Sequence, residues 1–213
     1  MFDMASYLPP AVRRHLSALR MLLVLTVITG VLYPLAVTGV AQAAFHHQAN
    51  GSVVTQNGMS VGSSLLGQSF DLPKKNPNNP DEAARPDPKF FQPRPSAGSY
   101  DPLASGASNL GPNSPDLVKA IDDRRAAVAA FDGVSPEDVP ADALTASGSG
   151  LDPDISTAYA YEQVDRVAAA RGLSPRQVHT LVADHVHGRD LGFLGEPRVN
   201  VLDLNRALNA LSG

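Results

Sequence analysis

The hydrophobic pattern divides the chain into one long apolar run and a remainder in which short apolar stretches alternate with polar ones. No residue from Met21 to Phe45 carries a charge. This run exceeds the about 20 mostly apolar residues that a helix needs to cross a bilayer core. Gly30 and Pro34 lie inside it, and lipid tolerates both because it offers the backbone no other hydrogen-bond partner. The pattern predicts a transmembrane helix over 21–45.

Short strands are expected directly after this run. The segment 51–58 places Val53 and Val54 before Asn57-Gly58, which is typical of a β-hairpin turn. Residues 71–89 contain five prolines and predict an extended surface loop. Residues 97–113 consist of turn-forming side chains.

Four later segments carry a helical pattern. Ser-Pro pairs begin two of them, because serine caps a helix and proline fits its first turn. The predicted helices begin at Ser114-Pro115, Ser156, Ser174-Pro175 and about Val201. In the first, Leu117, Ile121, Val128 and Phe131 form the apolar side, and the charged run 122–125 lies outside it. The second ends at Gly172, and the last carries a stripe of Leu204, Leu208 and Leu211.

The predicted fold is therefore α+β: one N-terminal transmembrane helix, then a small domain with short strands first and about four helices after. Residues 1–20 form an N-terminal lead, residues 21–45 the transmembrane helix, and residues 46–213 the domain, with 71–89 as its proline-rich loop.

Charge and cysteine content narrow the possible functions. The chain has a net charge of -4 and no cysteine, which excludes disulfides, thiolate metal sites and cysteine catalysis. The basic residues before the apolar run are Arg13, Arg14 and Arg20. The positive-inside rule then places the N-terminus in the cytoplasm and the domain outside. The remainder of the chain is acidic, which argues against nucleic acid as a partner.

A cleaved signal peptide is the alternative interpretation of the apolar run. The tripeptide Ala41-Gln42-Ala43 has the small-x-small form that signal peptidase prefers. The run is longer than the 7–15 residues of a usual signal-peptide core, which favours a retained anchor. Both interpretations export residues 46 onward.

A glycine- and serine-rich segment, residues 145–156, invites a search for chemistry. It lacks the lysine and spacing of a phosphate-binding P-loop. It also lacks the first glycine of the Gly-x-Ser-x-Gly elbow, which weakens a secreted hydrolase that would use Ser147 or Ser149. We therefore interpret it as a packing or docking loop. Its candidate partner-contact residues are Ser147, Gly148, Ser149, Gly150 and Asp152.

Two histidine pairs raise the question of a metal site. His46 and His47 are adjacent, and His185 and His187 are two positions apart at a predicted helix end, so neither pair shares a helix face. With no matching carboxylate set in the sequence, no metal site is predicted.

Several segments together resemble a known family. They are, in order, QANGSVV, VGSSLLGQSF, FFQPRPSA, ASGASNLGPNSPDL, VPADALTASGSGLDPDIS, QVDRVAAARGLS and LGFLGEPRVNVLDLN. This ordered set is similar to the C subunit of the bacterial potassium-transporting Kdp ATPase, from about Ile28 to Leu208. Three features depart from the family pattern: the longer lead 1–20, the expanded 71–89 loop, and Ala107 in place of a glycine.

The resemblance implies a non-catalytic accessory subunit of a four-subunit membrane pump. Its partners would be a channel-like A subunit that selects potassium, a P-type ATPase B subunit, a small fourth membrane subunit and the lipid bilayer. The family's proposed role is a catalytic chaperone that raises the ATP affinity of the B subunit. The residues that match its nucleotide motif are Leu173, Ser174 and Gln177. No cofactor would be tightly bound, and ATP would be shared with the ATPase subunit.

A structural role is the competing hypothesis. Ser174 and Pro175 are already explained as residues that begin a helix, and an exported domain would lie where ATP is scarce. An acidic exported domain could instead cover the potassium entrance of the channel-like subunit and concentrate cations there. The 145–156 segment would then be a docking surface without chemistry.

Overall fold

The computed structural model describes residues 9–76, 78–79 and 82–211. They form two compact units divided between Ser52 and Val53. Residues 1–8 of the predicted lead and positions 77, 80 and 81 of the proline-rich loop lie outside the described part, as do residues 212–213.

The first unit is dominated by one long helix, residues 10–44, in three sections. They are α1 (Pro10–Val27), a π-helical turn (Ile28–Leu32) and α2 (Tyr33–Ala44). This helix is long and apolar enough to cross a membrane, by length and composition. It begins well before Met21, where the uncharged run starts. A short helix, α3 (His46–Ala49), follows.

The π-helical turn ends two residues before Pro34. A proline ring clashes with the carbonyl four residues earlier, which here belongs to Gly30, in the middle of the turn. The wider π turn is one of the recognised ways a helix accommodates such a defect. Thr29 Oγ1 also donates to the Leu25 carbonyl at 2.7 Å. The helix therefore continues through both residues that would weaken it in water.

The second unit begins with the predicted hairpin, which is confirmed. Strands β1 (Val53–Gln56) and β2 (Met59–Ser63) are antiparallel. Asn57 and Gly58 join them with φ values of 52° and 78°, as a type I′ turn requires. The described residues of 71–89 contain no helix or strand, only an isolated bridge between Asp71 and Pro86.

Helices and a second small sheet make up the rest of the unit. The helices are α4 (Pro115–Asp132), α5 (Ala141–Leu144), α6 (Thr157–Glu162), α7 (Val164–Arg171), α8 (Pro175–Asp184) and α9 (Val201–Leu211). Strands β3 (Asp154–Ser156), β4 (Val186–His187) and β5 (Arg198–Asn200) pair antiparallel in the order β3-β5-β4. The α+β fold class is confirmed. The second sheet was not predicted, because strands of two or three residues are too short to show an alternating pattern.

The serine caps are confirmed in two places out of three. The Ser156 side chain accepts from Tyr159 N, and that of Ser174 accepts from Gln177 N. Ser114 occupies the cap position of α4, but its side chain makes no capping hydrogen bond. Gly133 and Gly172 end α4 and α7 in the left-handed conformation.

Three details of the predicted helices were wrong. The helix expected from Ser156 to Arg171 is interrupted at Gln163, whose side chain bonds to another segment. Arg124, expected outside, is half-buried and donates to the Leu144 carbonyl at 2.9 Å, because α5 packs beside α4. Leu211, expected in the apolar stripe of α9, is exposed at the end of that helix.

The core lies among the later helices and the second sheet. Val167 of α7, Val178 and Val182 of α8, and Leu204 and Leu208 of α9 are fully buried. Val178 and Val182 are four residues apart, as are Leu204 and Leu208, so each of these two pairs lies on one helix face.

Two buried amide side chains hold the strand-free segment around Phe91 in the core. Asn205 Oδ1 accepts from Phe91 N, and its Nδ2 donates to Phe91 O, both at 2.9 Å. Gln163 does the same for Gln92: its Oε1 accepts from Gln92 N at 2.6 Å and its Nε2 donates to Gln92 O at 3.1 Å. These bonds replace the strand ladder that Pro93 and Pro95 prevent.

We expect Asn205→Ala to destabilise the protein by about 2–4 kcal/mol, because it leaves two buried backbone groups of Phe91 without partners. The measurement is the midpoint of chemical unfolding of the full chain in detergent. Asn209→Ala, on the same helix, is the control. It removes only an exposed hydrogen bond that Asn209 Oδ1 accepts from Arg171 Nη2 at 2.8 Å, so it should change stability by less than about 1 kcal/mol. Equal losses of stability from the two substitutions would contradict the role given to the Asn205 hydrogen bonds.

Candidate functional site

A buried arginine is the centre of the most polar part of the interior. Arg166 of α7 donates through Nε to the Asp132 carboxylate at the end of α4. Its Nη1 donates to Pro88 O at 2.7 Å and Phe90 O at 2.9 Å. Its Nη2 donates to Gln163 Oε1 at 2.6 Å. One guanidinium group thus joins three separate parts of the chain.

The faces of two guanidinium groups also meet aromatic rings. The Arg166 guanidinium carbon lies 4.4 Å from the centre of the Phe131 ring, and that of Arg171 lies 4.7 Å from the centre of the Phe90 ring. Such cation–π contacts favour arginine over lysine at both positions.

Glu162 places a second buried carboxyl group beside Asp132. Both of its carboxyl oxygens are buried. Burial and, next to it, the nearby Asp132 carboxylate raise the pKa of Glu162 from its ordinary 4.5 to about 8, against the opposing effect of Arg166. One arginine cannot neutralise two ionised carboxylates. We therefore assign the proton to Glu162 near neutral pH and the ionised form to Asp132, which pairs with Arg166.

A cavity of about 560 Å³ is lined in part by Phe131. Its walls come from α4, α6 and the 69–100 segment, and include Tyr100 and Tyr159. Burial raises the pKa of both phenols, and the charges of nearby acidic groups raise them further. Tyr100 donates its hydroxyl hydrogen to Arg94 O. Both phenols stay protonated at physiological pH. Because the Tyr100 hydroxyl hydrogen is already donated to Arg94 O, the cavity wall is mainly apolar surface with the Tyr159 phenol.

The 145–156 segment is a junction for three other segments. Gly67 N donates to Leu151 O at 2.8 Å, Ser147 N donates to Pro95 O at 3.2 Å, and Gly106 N donates to Ser149 O at 2.8 Å.

Side chains add to this junction. Ser96 Oγ donates to Gly150 O at 2.7 Å, and Arg94 pairs with Asp152 at 2.8 Å. Of the candidate partner-contact residues, Ser147 and Gly150 are buried, Asp152 is half-buried, and Gly148 and Ser149 are exposed. The side that a partner could reach is therefore the Gly148-Ser149 tip.

The candidate nucleotide motif begins α8. Ser174 and Gln177 form a reciprocal capping box, in which Gln177 N donates to Ser174 Oγ at 3.3 Å and Ser174 N donates to Gln177 Oε1 at 3.0 Å. Ser174 Oγ also donates to Gln177 Oε1 at 2.7 Å. Leu173 packs against the core, while Ser174 and Gln177 are exposed beside a shallow groove of about 330 Å³ that Arg176 also lines. The motif residues thus have a complete structural explanation.

The two candidate sets lie in different parts of the domain. The loop residues contact the 67, 94–98 and 105–106 segments, whereas the motif packs with α7 at the start of α8. His185 Nδ1 lies 2.8 Å from Leu181 O, and His187 is in β4. Within the described residues, no group of three or more histidine, aspartate or glutamate side chains is placed to hold a metal ion.

Sequence reasoning missed the buried charge cluster. Arg166 lies 34 residues from Asp132 and 76 from Phe90, so no local spacing connects them. A weak signal was available, because α7 is largely apolar around Arg166, with Val167 and Ala168 beside it and Ala170 one turn later. An arginine buried on such a helix needs a partner, since an unpaired buried charge is very costly.

Known proteins resemble this chain over nearly its whole length. The family described as "KdpC: K+-transporting ATPase, c chain" matches residues 15–210. A Kineococcus radiotolerans protein named "Potassium-transporting ATPase KdpC subunit" is 54% identical over 200 residues, which are 93% of this chain and 94% of that protein. Proteins of the same name from Streptomyces avermitilis and Mycobacterium tuberculosis are 53% and 48% identical. These cover 92% of both chains in the first case, and 93% of this chain and 99% of the relative in the second.

The junction around residues 145–156 should tolerate a methyl group at one glycine and not at another. A Cβ at Gly150 would lie 2.8 Å from Gly106 O, and its φ of +69° disfavours any other residue. We expect Gly150→Ala to lower the unfolding free energy by about 1–3 kcal/mol. Gly148→Ala meets no atom within 4 Å and should change it by less than about 0.5 kcal/mol. Thermal unfolding of both variants measures the difference. A loss of unfolding free energy in Gly148→Ala as large as that in Gly150→Ala would contradict the close packing described for Gly150.

The raised pKa of Glu162 predicts a pH-dependent stability. The folded state binds this proton more tightly than the unfolded chain, so stability is lost as pH rises from about 4.5 to about 8. Glu162→Gln removes the ionisation and keeps a hydrogen-bond donor. We expect its melting temperature to match the parent at about pH 4.5 and to exceed it at about pH 9. Glu137→Gln, at an exposed position, should show no such pH-dependent gain. A constant difference at both pH values would contradict the protonation assigned to Glu162.

Proposed function

We propose a function that starts from one established fact: the chain belongs to the KdpC family, the c chain of K+-transporting ATPases. It is a subunit of a P-type potassium-transporting complex, and its apolar helix fits a membrane protein. Beyond this, we propose that it is a non-catalytic accessory subunit required for assembly and activity. Its domain is exported and contacts the channel-like A subunit and the ATPase B subunit, with a small fourth subunit in the same membrane.

The observation that carries this proposal is the charge distribution along the first helix. Arg13, Arg14 and Arg20 all lie on α1 before the uncharged stretch that ends at Phe45. The positive-inside rule then orients the N-terminus to the cytoplasm and residues 46 onward to the other side. The potassium entrance of an uptake system is on that same side.

The charge of the domain supports a role near a cation entrance. Three arginines and one aspartate precede Phe45, so the remainder carries a net charge of -6. Asp152 and Asp154 contribute little to this field, because Arg94 and Arg198 pair with them at 2.8 and 3.2 Å. The focusing of cations would come from the surplus carboxylates elsewhere on the surface, and salt would weaken it.

A second candidate function is the catalytic chaperone that raises the ATP affinity of the B subunit. The specific observation in its favour is the exposed position of Ser174 and Gln177 beside a groove that also contains Arg176. Against a direct contact, the Gln177 side-chain oxygen Oε1 already accepts two hydrogen bonds, from Ser174 N and from Ser174 Oγ. This role would require the domain to face cytoplasmic ATP, or to act on the ATPase through the membrane segment.

Topology at the motif distinguishes the two candidates. The chain has no native cysteine, so Arg176→Cys introduces a single label site at an exposed position and leaves the Ser174–Gln177 cap intact. We expect a membrane-impermeant maleimide to label it in cells whose outer barrier is permeable to the reagent. Ser17→Cys, on the opposite side of the uncharged run, is the control and should react only after lysis.

The reverse labelling pattern would overturn the exported assignment and make direct ATP contact the leading hypothesis. A second site, Glu137→Cys, is also exposed and guards against shielding of Arg176 by a partner subunit. Labelling of both positions from outside would limit any effect on ATP affinity to one transmitted through the membrane segment.

A further inference from the structure

The cavity beside α4 has the size and the walls of a small-molecule site. Its volume is about 560 Å³, and such sites occupy roughly 300–1,000 Å³ and combine apolar walls with a few polar groups. Ala127, Val128 and Phe131 of α4 form part of its apolar wall, together with Pro93 and Pro95. The polar groups in the wall therefore indicate which ligand it suits.

The Tyr159 phenol is the most deeply buried of these polar groups. Tyr159 is 4% exposed and lines the cavity. Its hydrogen bonds with described residues involve its backbone, such as Tyr159 N to Ser156 Oγ at 3.0 Å, and its hydroxyl has no partner among them. A buried tyrosine hydroxyl usually has a hydrogen-bond partner, because burial otherwise costs it the bond it made to water. The phenol is therefore available to a ligand in the cavity.

Arg124 supplies a positive charge to the same cavity. Its Nη1 donates to Leu144 O at 2.9 Å, and it forms no ion pair with a carboxylate of the described residues. Its Nε and Nη2 hydrogens thus remain available. Asp71 also lines the cavity, but it is exposed, so water and salt screen its charge. A guanidinium with unused donors suits a carboxylate, whose two oxygens match its planar geometry.

These two polar groups belong to different ends of the cavity. Residues 124, 127, 128 and 131 share one face of α4, and seven residues of helix span about 10 Å. Tyr159 belongs to the Phe131 end. Besides burial, which raises the pKa of Tyr159 most, the nearby charges of Asp132 and Arg166 act on its phenol, and the Arg166 guanidinium lies 4.4 Å from the centre of the Phe131 ring. The cavity is therefore elongated, with a cation at one end and a hydroxyl donor at the other.

The turn that carries Tyr100 into the cavity wall is strained. Ser99 and Tyr100 both line the cavity and have φ values of 53° and 59°, which residues other than glycine rarely adopt. Ser96 Oγ holds this turn by accepting from Gly98 N at 3.2 Å and from Tyr100 N at 3.0 Å. Such strain persists only where the surroundings enforce it, and it is concentrated at functional sites. The turn thus fixes one wall of the cavity in place.

We propose that this cavity binds an elongated carboxylate with a hydroxyl or carbonyl oxygen at its far end. The carboxylate pairs with Arg124, the apolar middle lies along the α4 face, and the far oxygen accepts from the Tyr159 phenol. This inference is independent of the proposed function, because binding does not depend on the side of the membrane that the domain faces. It adds a small-molecule site to the accessory domain.

Isothermal titration calorimetry of the full chain in lipid nanodiscs tests the proposal, with empty nanodiscs as the blank. The probe is ω-hydroxyoctanoate, whose extended chain matches the length of the α4 face. Octanoate lacks the far oxygen, and α,ω-octanediol lacks the carboxylate. We expect ω-hydroxyoctanoate to bind with a dissociation constant below about 1 mM, octanoate to bind at least about fivefold more weakly and the diol at least about tenfold more weakly. Equal affinities for the three probes, or a dissociation constant of ω-hydroxyoctanoate above about 1 mM, would overturn the proposal.

Substitutions assign the two polar contacts. We expect Tyr159→Phe to abolish the preference for ω-hydroxyoctanoate over octanoate and to leave the unfolding midpoint unchanged, because the hydroxyl has no partner among the described residues. Arg124→Met should weaken binding of ω-hydroxyoctanoate at least about tenfold. Arg125→Met is the matched control on the same helix, since Arg125 pairs with Asp122 at 2.9 Å and is not among the lining residues.

The control should bind all three probes as the parent does. A folded Arg124→Met or Tyr159→Phe protein with the affinities of the parent would contradict the proposal, as would an equal loss in Arg125→Met. A lowered unfolding midpoint in Tyr159→Phe would reveal a structural partner for the hydroxyl and would also count against it.

Discussion

The buried guanidinium group of Arg166 is the interaction on which the second unit depends. It pairs with Asp132 at the end of α4 and binds the carbonyls of Pro88 and Phe90. A segment with prolines at 86, 88, 93 and 95 cannot join a sheet, so its backbone groups need other partners once they are buried. Arg166, Gln163 and Asn205 supply them, which is why a stretch without strands can cross the core.

Two carboxyl groups lie near the buried Arg166, and protonation of one of them removes the unfavourable second negative charge. Asp132 and Glu162 share the surroundings of a single arginine, and burial disfavours two negative charges there. The raised pKa of Glu162 follows from that geometry without any role in a reaction. Strongly shifted groups often mark active sites. Here the neighbours of the shifted group are helix ends and backbone carbonyls, so we interpret the cluster as structural.

Both sequence motifs likewise supply hydrogen-bond partners to the backbone around them. Ser174 and Gln177 satisfy each other and the first turn of α8, and the 145–156 segment satisfies the backbone of residues 67, 95 and 106. The local hydrogen bonds therefore account for the residues found in each motif. The candidate contact surface is what remains exposed after those needs are met, which in the 145–156 segment is the Gly148-Ser149 tip.

Local chemistry explains which elements the sequence by itself determined. The uncharged run, the Asn57-Gly58 turn, the caps at Ser156 and Ser174 and the helix end at Gly172 depend on residues a few positions apart. The family followed from an ordered set of such segments and was confirmed over residues 15–210.

Only the tertiary structure decided the second sheet, the break at Gln163, the burial of Ser147 and the Arg166 cluster. Each of these depends on partners far along the chain, such as the 71 residues between Gln92 and Gln163. Side-chain hydrogen bonds over such separations leave no periodic trace in the sequence. The raised pKa of Glu162 also depends on tertiary structure, because folding buries its carboxyl group and brings the Asp132 carboxylate close to it.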